Sequence, residues 1–292
     1  MKYRLSSDWH IDNWPTKTLE ESVRFIEGFV LPVLPDDKTT VLLLAGDMVT
    51  HGKGWIHSRV GGLRSHSTGR QIVRYLCERF ANVVYVPGNH DHYGGDIISV
   101  SDRDARWAGL PSNCLVLDTL YDSGELAGGA EGISRYSHEH AGVVGCTLWT
   151  DCKGWSYGDA FNDFRLIQCG KKSFTSSEME RLHMKDKLEI ARRGEFGGIV
   201  MTHHSPSYSQ VHSKYAGSGY NSMFHCSDME TIIDLIRPKW WFHGHIHDAM
   251  MTVMGCGTTI ISNPLGYPNG YEYDPSMLTS YNGYNNLLSI TV

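Results

Sequence analysis

Five short blocks of the sequence carry side chains suited to metal chemistry: Asp8-Trp9-His10, Gly46-Asp47, Gly88-Asn89-His90-Asp91, His203-His204 and Gly244-His245-Ile246-His247. The candidate ligands are Asp8 with His10, Asp47, Asn89 with His90, His203, and His245 with His247. Carboxylate, imidazole and amide oxygen without thiolate suit Mn, Fe, Zn, Ni or Co rather than an iron–sulfur cluster. In an extended segment alternate side chains point the same way, so Asp8/His10 and His245/His247 each read as a pair aimed into one site. A set of this size exceeds what one tetrahedral ion accepts. It suits two five- or six-coordinate divalent ions that share a bridging carboxylate, and Asp47, a lone carboxylate, is the natural bridge. The chain holds 16 His in 292 residues, which points the same way, because imidazole is the commonest metal ligand and proton carrier among side chains.

The elements that must position these blocks are legible around them. Tyr3–Ser6, Val41–Leu44 and Val83–Val86 read as short apolar strands, the second of them a continuous run of the kind buried on both faces. Between them lie two amphipathic patterns. Leu19, Val23, Ile26 and Val30 predict a helix over Leu19–Val30, and Ile72, Leu76 and Phe80, with Val73 and Cys77, predict the next. Strand and helix in alternation imply parallel pairing and an α/β fold. Further strands are expected at Leu115–Leu117, Val143–Leu148, Gly198–Met201, Trp240–Phe242, Met250–Met254, Thr258–Ile261 and Leu287–Val292, and helices at Ser177–Arg193 and Asp228–Ile236. His51–Gly69, Trp149–Lys172, Ser207–Cys226 and Asn263–Tyr273 read as irregular, and Tyr121–His140 as a hairpin with a loose tip. Every block follows a strand. In open α/β sheets the carboxyl ends of strands share an edge where ligands bind, so residues far apart in sequence are expected to converge there. With no repeat and no linker, the whole chain, 1–292, reads as one domain.

Composition narrows the function. Hydrophobic residues make up 41% and charged residues 20%, enough for a substantial core. A formal net charge of −6 argues against a general basic surface, so nucleic acid is not the favoured partner. The seven Cys are scattered and lack C-x-x-C spacing; no disulfide framework is expected, and a reducing cytoplasm is the default compartment. The N-terminus enters a strand directly, and no apolar run is long enough for a membrane span. The oligomeric state is not encoded in any pattern.

Taken in order, the five blocks resemble the calcineurin-like metallophosphoesterase superfamily, whose pattern is D-x-H, G-D, G-N-H-[DE], H and G-H-x-H. The likeness runs from about residue 3 to 248. It implies a sandwich of two mixed β-sheets flanked by helices, with the active site at the carboxyl ends of the strands. Residue by residue it implies Asp8, His10 and His247 on a first metal, Asn89, His203 and His245 on a second, and Asp47 bridging. His90 resembles the family's catalytic histidine. Asn263-Pro264-Leu265-Gly266-Tyr267 and Asp163-Phe164-Arg165 resemble a microbial and phage branch of the superfamily. Protein phosphatases of the superfamily continue the second block as G-D-x-V-D-R-G; here the run is Gly46-Asp47-Met48-Val49-Thr50-His51-Gly52, so their Asp and phosphate-gripping Arg are missing.

The expected activity is therefore a two-metal phosphoesterase acting on phosphomonoesters or phosphodiesters of small or flexible, nucleotide-like substrates. Manganese is the first choice of metal, with Fe, Zn, Ni, Co or Mg as alternatives. A hydroxide bridging the ions is the expected nucleophile, and His90 the general acid for the leaving oxygen. The competing readings are a nuclease or protein phosphatase of the same superfamily, and a silent metal-binding scaffold. Asp91 is a candidate to orient the His90 ring. Around the blocks, His204 either supports His203 or faces solvent. Trp9, Trp149, Tyr208, Tyr215 and Tyr220 either line a cleft or pack a core. Asp163 and Arg165 form either a surface pair or a substrate contact. His92, His138, His140, His212 and His225 read as ordinary loop histidines.

Overall fold

The computed structural model describes residues 1–14, 16, 18–49, 66–99, 101, 102, 107, 109–119, 135, 136, 142–152, 161–213, 227–268 and 283–292. Most of the expected Tyr121–His140 hairpin lies outside these residues, as do His138, His140, Tyr215, Tyr220 and His225.

Two sheets form. The first runs β13-β1-β2-β3-β4, built from β1 (Lys2–Ser6), β2 (Thr40–Leu44), β3 (Asn82–Tyr85), β4 (Cys114–Val116) and the antiparallel β13 (Ser289–Thr291). The second runs β11-β12-β10-β9-β6-β5. Its strands are β5 (Arg135–Tyr136), β6 (Val143–Cys146), β9 (Ile199–Thr202), β10 (Trp240–His243), β11 (Met250–Val253) and β12 (Thr259–Ser262). β1, β2, β3 and β4 pair in parallel, and so do β6, β9, β10 and β12.

Alternation along each strand divides its side chains between two layers. Tyr3, Leu5, Val41, Leu43, Val84 and Val86 of the first sheet pack on Val143, Ile199, Met201, Phe242 and Ile261 of the second, forming the middle of the sandwich. The other face of the first sheet, with Leu42, Leu44, Val83 and Tyr85, meets Phe25 of α1 (Leu19–Phe25), Ile72 and Leu76 of α2 (His66–Arg79), and Phe80 just beyond α2. The outer face of the second sheet, with Val144, Val200, Trp241 and Ile260, is covered by Ile190 of α4 (Ser176–Arg193) and by Ile233 and Ile236 of α5 (Glu230–Ile236). Central strands are thus buried on both sides, which is why they read as continuous apolar runs.

Three expectations need adjustment. The helix predicted over Leu19–Val30 is α-helical only to Phe25 and continues as a π turn over Ile26–Val30, where the Leu31 amide donates to the Ile26 carbonyl at 2.6 Å. Of the loop expected at His51–Gly69, residues 51–65 lie outside the described residues, and the rest is helical from His66. Trp149–Lys172 holds a short helix, α3 (Asn162–Leu166), and the first strand of the hairpin β7 (Gln168–Cys169)–β8 (Lys172–Ser173); these pieces are too short to show a period. Trp9 and Trp149 are core residues, each 1% exposed. Trp9 Nε1 donates to Ser6 Oγ at 2.6 Å, so its polar atom is satisfied where it is buried. Among the described residues no helix is long and apolar enough to cross a membrane.

Candidate metal centre

Asp8 and His10 follow β1, Asp47 follows β2, Asn89 and His90 follow β3, His203 follows β9, and His245 and His247 follow β10. All eight stand at carboxyl ends, three blocks from one sheet and two from the other, and contacts between their side chains close the site across the sandwich.

The turns that carry them are sharp. Nine described residues other than glycine have positive φ, and Asp8 (53°), His10 (43°), Asp47 (55°), His245 (69°) and His247 (50°) are among them. Such backbone is uncommon outside glycine and gathers at functional sites; here more than half of it falls on predicted ligands. Close approach demands glycine at two neighbouring positions. A Cβ on Gly88 would fall on the Asp47 carboxylate and lie 2.7 Å from the Asp47 amide nitrogen. One on Gly244 would meet the Asp8 carboxylate and lie 2.7 Å from the Ala45 carbonyl.

Two groups of donor atoms result. His247 Nε2 lies 3.1 Å from His10 Nε2 and 3.3 Å from Asp8 Oδ1. His203 Nε2 lies 3.1 Å from Asn89 Oδ1 and 3.4 Å from Asp47 Oδ2. Donor atoms of Asp8, His10 and His247 all fall within 4.8 Å of one another, as do those of Asp47, His203 and His245. Asp47 Oδ2 is also 3.9 Å from His10 Nε2, so this carboxylate stands between the groups. A third cluster, His10, Asp47 and His90, overlaps both.

The chemistry of this donor set fits a pair of divalent cations. Two imidazole nitrogens with lone pairs face to face need a proton or a cation between them. Burial, reinforced by His90, His247 and His203, holds His10 well below its ordinary range, so its imidazole is neutral and able to ligate. Burial opposes ionisation of Asp8, but the bond to His247 overcomes it and lowers this carboxylate; both its oxygens also accept the His245 amide, at 2.9 and 3.1 Å. His203 Nδ1 donates to the Ala45 carbonyl at 2.8 Å, which leaves Nε2 facing the cluster. Burial opposes charge on His203 too, yet Asp47 outweighs it and carries the group up to about 9. A cation taken up beside Asp47 replaces that proton.

The candidate ligands are backed by a layer of buried polar residues. Asn89 Nδ2 donates to Asp163 Oδ1 at 2.9 Å and to Tyr93 Oη at 3.1 Å, and Tyr93 Oη donates to the same Asp163 oxygen at 2.6 Å. The amide is thereby fixed with its oxygen toward His203. Asp163 is buried and forms this clamp, while Arg165 turns away to Asn162 Oδ1 at 2.9 Å; the surface pair expected between them is absent because Asp163 sits under the site. Asp91 Oδ2 accepts from the amides of Asp47 (3.1 Å) and Gly88 (2.7 Å) and from Tyr85 Oη (2.6 Å). It ties two ligand-bearing turns together, a role different from the expected one of orienting His90. His204 is buried, with Nδ1 3.2 Å from the Thr147 carbonyl and its ring 4.2 Å from that of His245, so it packs beneath a ligand and does not face solvent.

His90 is held by its backbone, whose amide donates to Asp47 Oδ1 at 2.9 Å. Its ring lies 4.7 Å from His10 and 4.2 Å from Tyr93, and its Nε2 is 3.0 Å from Tyr267 Oη. Neither Tyr93 nor Tyr267 belongs to the five blocks. The one signal for Tyr267 was its place at the end of the Asn263-Pro264-Leu265-Gly266-Tyr267 turn; Tyr93 had none.

A family model for calcineurin-like phosphoesterases matches residues 1–249. The uncharacterized protein L509 of Acanthamoeba polyphaga mimivirus is 21% identical over 227 residues, 68% of this chain and 72% of that protein. Among solved structures, the phosphopantetheinyl hydrolase of Mycobacterium tuberculosis superposes with a TM-score of 0.58 at 13% identity, covering 91% of this chain and 89% of that one. A dimetal phosphatase from Danio rerio covers 89% of this chain and 86% of its own, at 11% identity and a TM-score of 0.40. That model spans most of the chain, and carboxylates and imidazoles cluster at its strand ends where they could hold metal, so the chain belongs to the calcineurin-like phosphoesterases, metal-dependent hydrolases of phosphate esters.

Proposed function

We propose that this phosphoesterase uses two divalent ions to hydrolyse phosphomonoesters or phosphodiesters of small or flexible substrates, nucleotide-like esters among them. Asp8, His10 and His247 would hold one ion, Asn89, His203 and His245 the other, and Asp47 both. The observation that carries this reading is the place of Asp47, whose Oδ2 lies 3.4 Å from His203 and 3.9 Å from His10. Bound there, the cations supply Lewis acidity toward phosphate oxygens and bring the pKa of water toward neutrality. Manganese is the first candidate for such mixed carboxylate and imidazole ligands, ahead of Fe, Zn, Ni, Co or Mg.

The chain's own residues do the rest. Asp47 joins the ion sites and, through Oδ1, fixes the backbone of His90. His90 hands a proton to the leaving oxygen, a contribution typically worth ~10²–10⁴ in rate. Asp163 and Tyr93 keep the oxygen of Asn89 turned inward. The Met48-Val49-Thr50-His51 run in place of the phosphatase Asp-Arg pair favours small esters over phosphoproteins. Phosphopantetheine esters belong among the candidates, since the hydrolase of that name shares the fold.

The test is a screen of metal-stripped and metal-reconstituted protein on nitrophenyl phosphate, nucleotides, phosphopantetheine esters, DNA and a phosphoprotein. Chelation is expected to abolish hydrolysis, Mn²⁺ to restore it, and small esters to lead the panel. Full activity in metal-free protein, or turnover confined to DNA or the phosphoprotein, would overturn the proposal.

A further inference from the structure

Tyr267 reaches the site from the turn after β12, and neither the motifs nor the family match assigns it a task. Its hydroxyl lies 3.0 Å from His90 Nε2. Its ring stacks on His10, with centroids 4.2 Å apart and planes at 29°, and meets His247 edge-on at 4.8 Å. The side chain is 42% exposed, so it stands at the mouth of the cleft. The turn that delivers it is anchored. The Leu265 and Gly266 amides donate to the carbonyls of Ser7 and Asp8, both at 2.9 Å. Asn263 Nδ2 donates to the Leu5 carbonyl, also at 2.9 Å. The residues after β1 that carry Asp8 and His10 therefore also fix where Tyr267 begins.

A histidine that delivers protons needs one nitrogen aimed at the reacting atoms. An imidazole can rotate about its outer side-chain bond and exchange tautomers, and each wrong state removes the nitrogen from the leaving oxygen. The surroundings of His90 limit this. Tyr93 flanks one side at 4.2 Å, His10 lies edge-on at 4.7 Å, and Tyr267 bonds Nε2. We infer that Tyr267 is a positioning residue for His90: its hydroxyl accepts from Nε2–H and holds that nitrogen at the His10–Asp47 side of the site, where the leaving oxygen of the ester, arriving beside the hydroxyl, first shares and then takes the proton. This rests on the proposed role of His90 as general acid. The nitrogen held is the one within reach of that oxygen, so the hydroxyl also marks the point at which substrate must meet His90.

Tyr267→Phe removes the hydroxyl and keeps the stacked ring, so fold and ion sites are expected to persist. Three measurements on the Zn²⁺-loaded protein test the role. In ¹⁵N-resolved spectra the His90 ring nitrogens are expected to report one tautomer in wild type and to move in the variant, with other site histidines little changed. For an alkyl phosphate, which leaves as a basic alkoxide, kcat is expected to fall about 10-fold, what one hydrogen bond of ordinary strength is worth. For nitrophenyl phosphate, whose leaving group needs no proton, it should fall far less. In a His90→Ala background the same substitution should have no further effect on either ester. Unmoved His90 resonances, or an undiminished loss without His90, would overturn the inference. So would equal losses on both esters with reduced metal content, which would make the ring a prop for His10. If wild type hydrolyses neither these monoesters nor the corresponding diesters, the proposed function fails, and the spectra still decide whether Tyr267 holds His90.

Discussion

An Asp47→Asn substitution keeps the shape of the side chain and removes its charge, which separates the two things Asp47 does. Oδ1 can go on accepting the His90 amide, so the turn should hold. The oxygen that faces His203 and His10 becomes an amide or loses its charge, and it can no longer offset the repulsion between two cations. Metal analysis should find about one ion or fewer per chain. Activity should fall by at least ~100-fold, beyond the usual cost of losing a partner that merely supports a ligand. A second readout needs no metal. Asp47 is what carries His203 up to about 9 against burial, so in the metal-free variant His203 should titrate well below that, as seen by NMR. Two tightly held ions in Asp47→Asn would show that another group bridges.

Each ligand turn works because a strand stops at a fixed place and a glycine lets the next loop come close, and Gly88 is the clearest case. The predicted Cβ collision with Asp47 means that Gly88→Ala should push the Asp47 and Asn89 turns apart. We expect a loss of ~1–3 kcal/mol in stability, the usual range for overpacking, together with weaker metal binding by calorimetric titration. Wild-type affinity in that variant would mean that the turns move apart without cost to the site. The strands that set up these turns were readable in the sequence because both of their faces are buried, so Val41–Leu44 and Val83–Val86 stand out as apolar runs. The strand-end cluster of candidate ligands was readable because each block directly follows such a run. What escaped has no local pattern. Asn89 and Asp163 are 74 residues apart, and His90 and Tyr267 are 177 apart. The helix Asn162–Leu166 is one turn long and gives no period. Asp163 therefore looked like half of a surface ion pair until packing placed it under Asn89.

At the scale of the molecule, the two ends of the sandwich have different polar tasks. The amino end of the first sheet is locked by Asp37, which bonds Arg4 at 2.9 Å and Arg79 at 2.6 Å with all three side chains buried. The second sheet instead rests on a carboxylate with a cost. Asp186 of α4 accepts the Leu148 amide at 2.8 Å and the Thr119 hydroxyl, joining the helix to the segments after β6 and β4. Burial raises its carboxyl from the ordinary 3.8 to about 6, despite those bonds and Lys185. The sign follows from proton binding. Between these values the folded chain holds a proton that the unfolded chain has released, so the stability linked to Asp186 is fully present below about 3.8 and lost as pH rises through about 6. The loss amounts to roughly 3 kcal/mol over the whole interval, at 1.36 kcal/mol per pKa unit. An Asp186→Asn variant carries no such term. Whatever fixed offset the amide brings, the difference in unfolding free energy between variant and wild type should shift in the variant's favour by about 2 kcal/mol from pH 4.5 to pH 7. Urea unfolding at both pH values, with chelator present so that metal binding does not enter, measures this difference. Parallel stability profiles for the two proteins would show that Asp186 is already ionised when buried, and that its two bonds and Lys185 suffice to hold the charge.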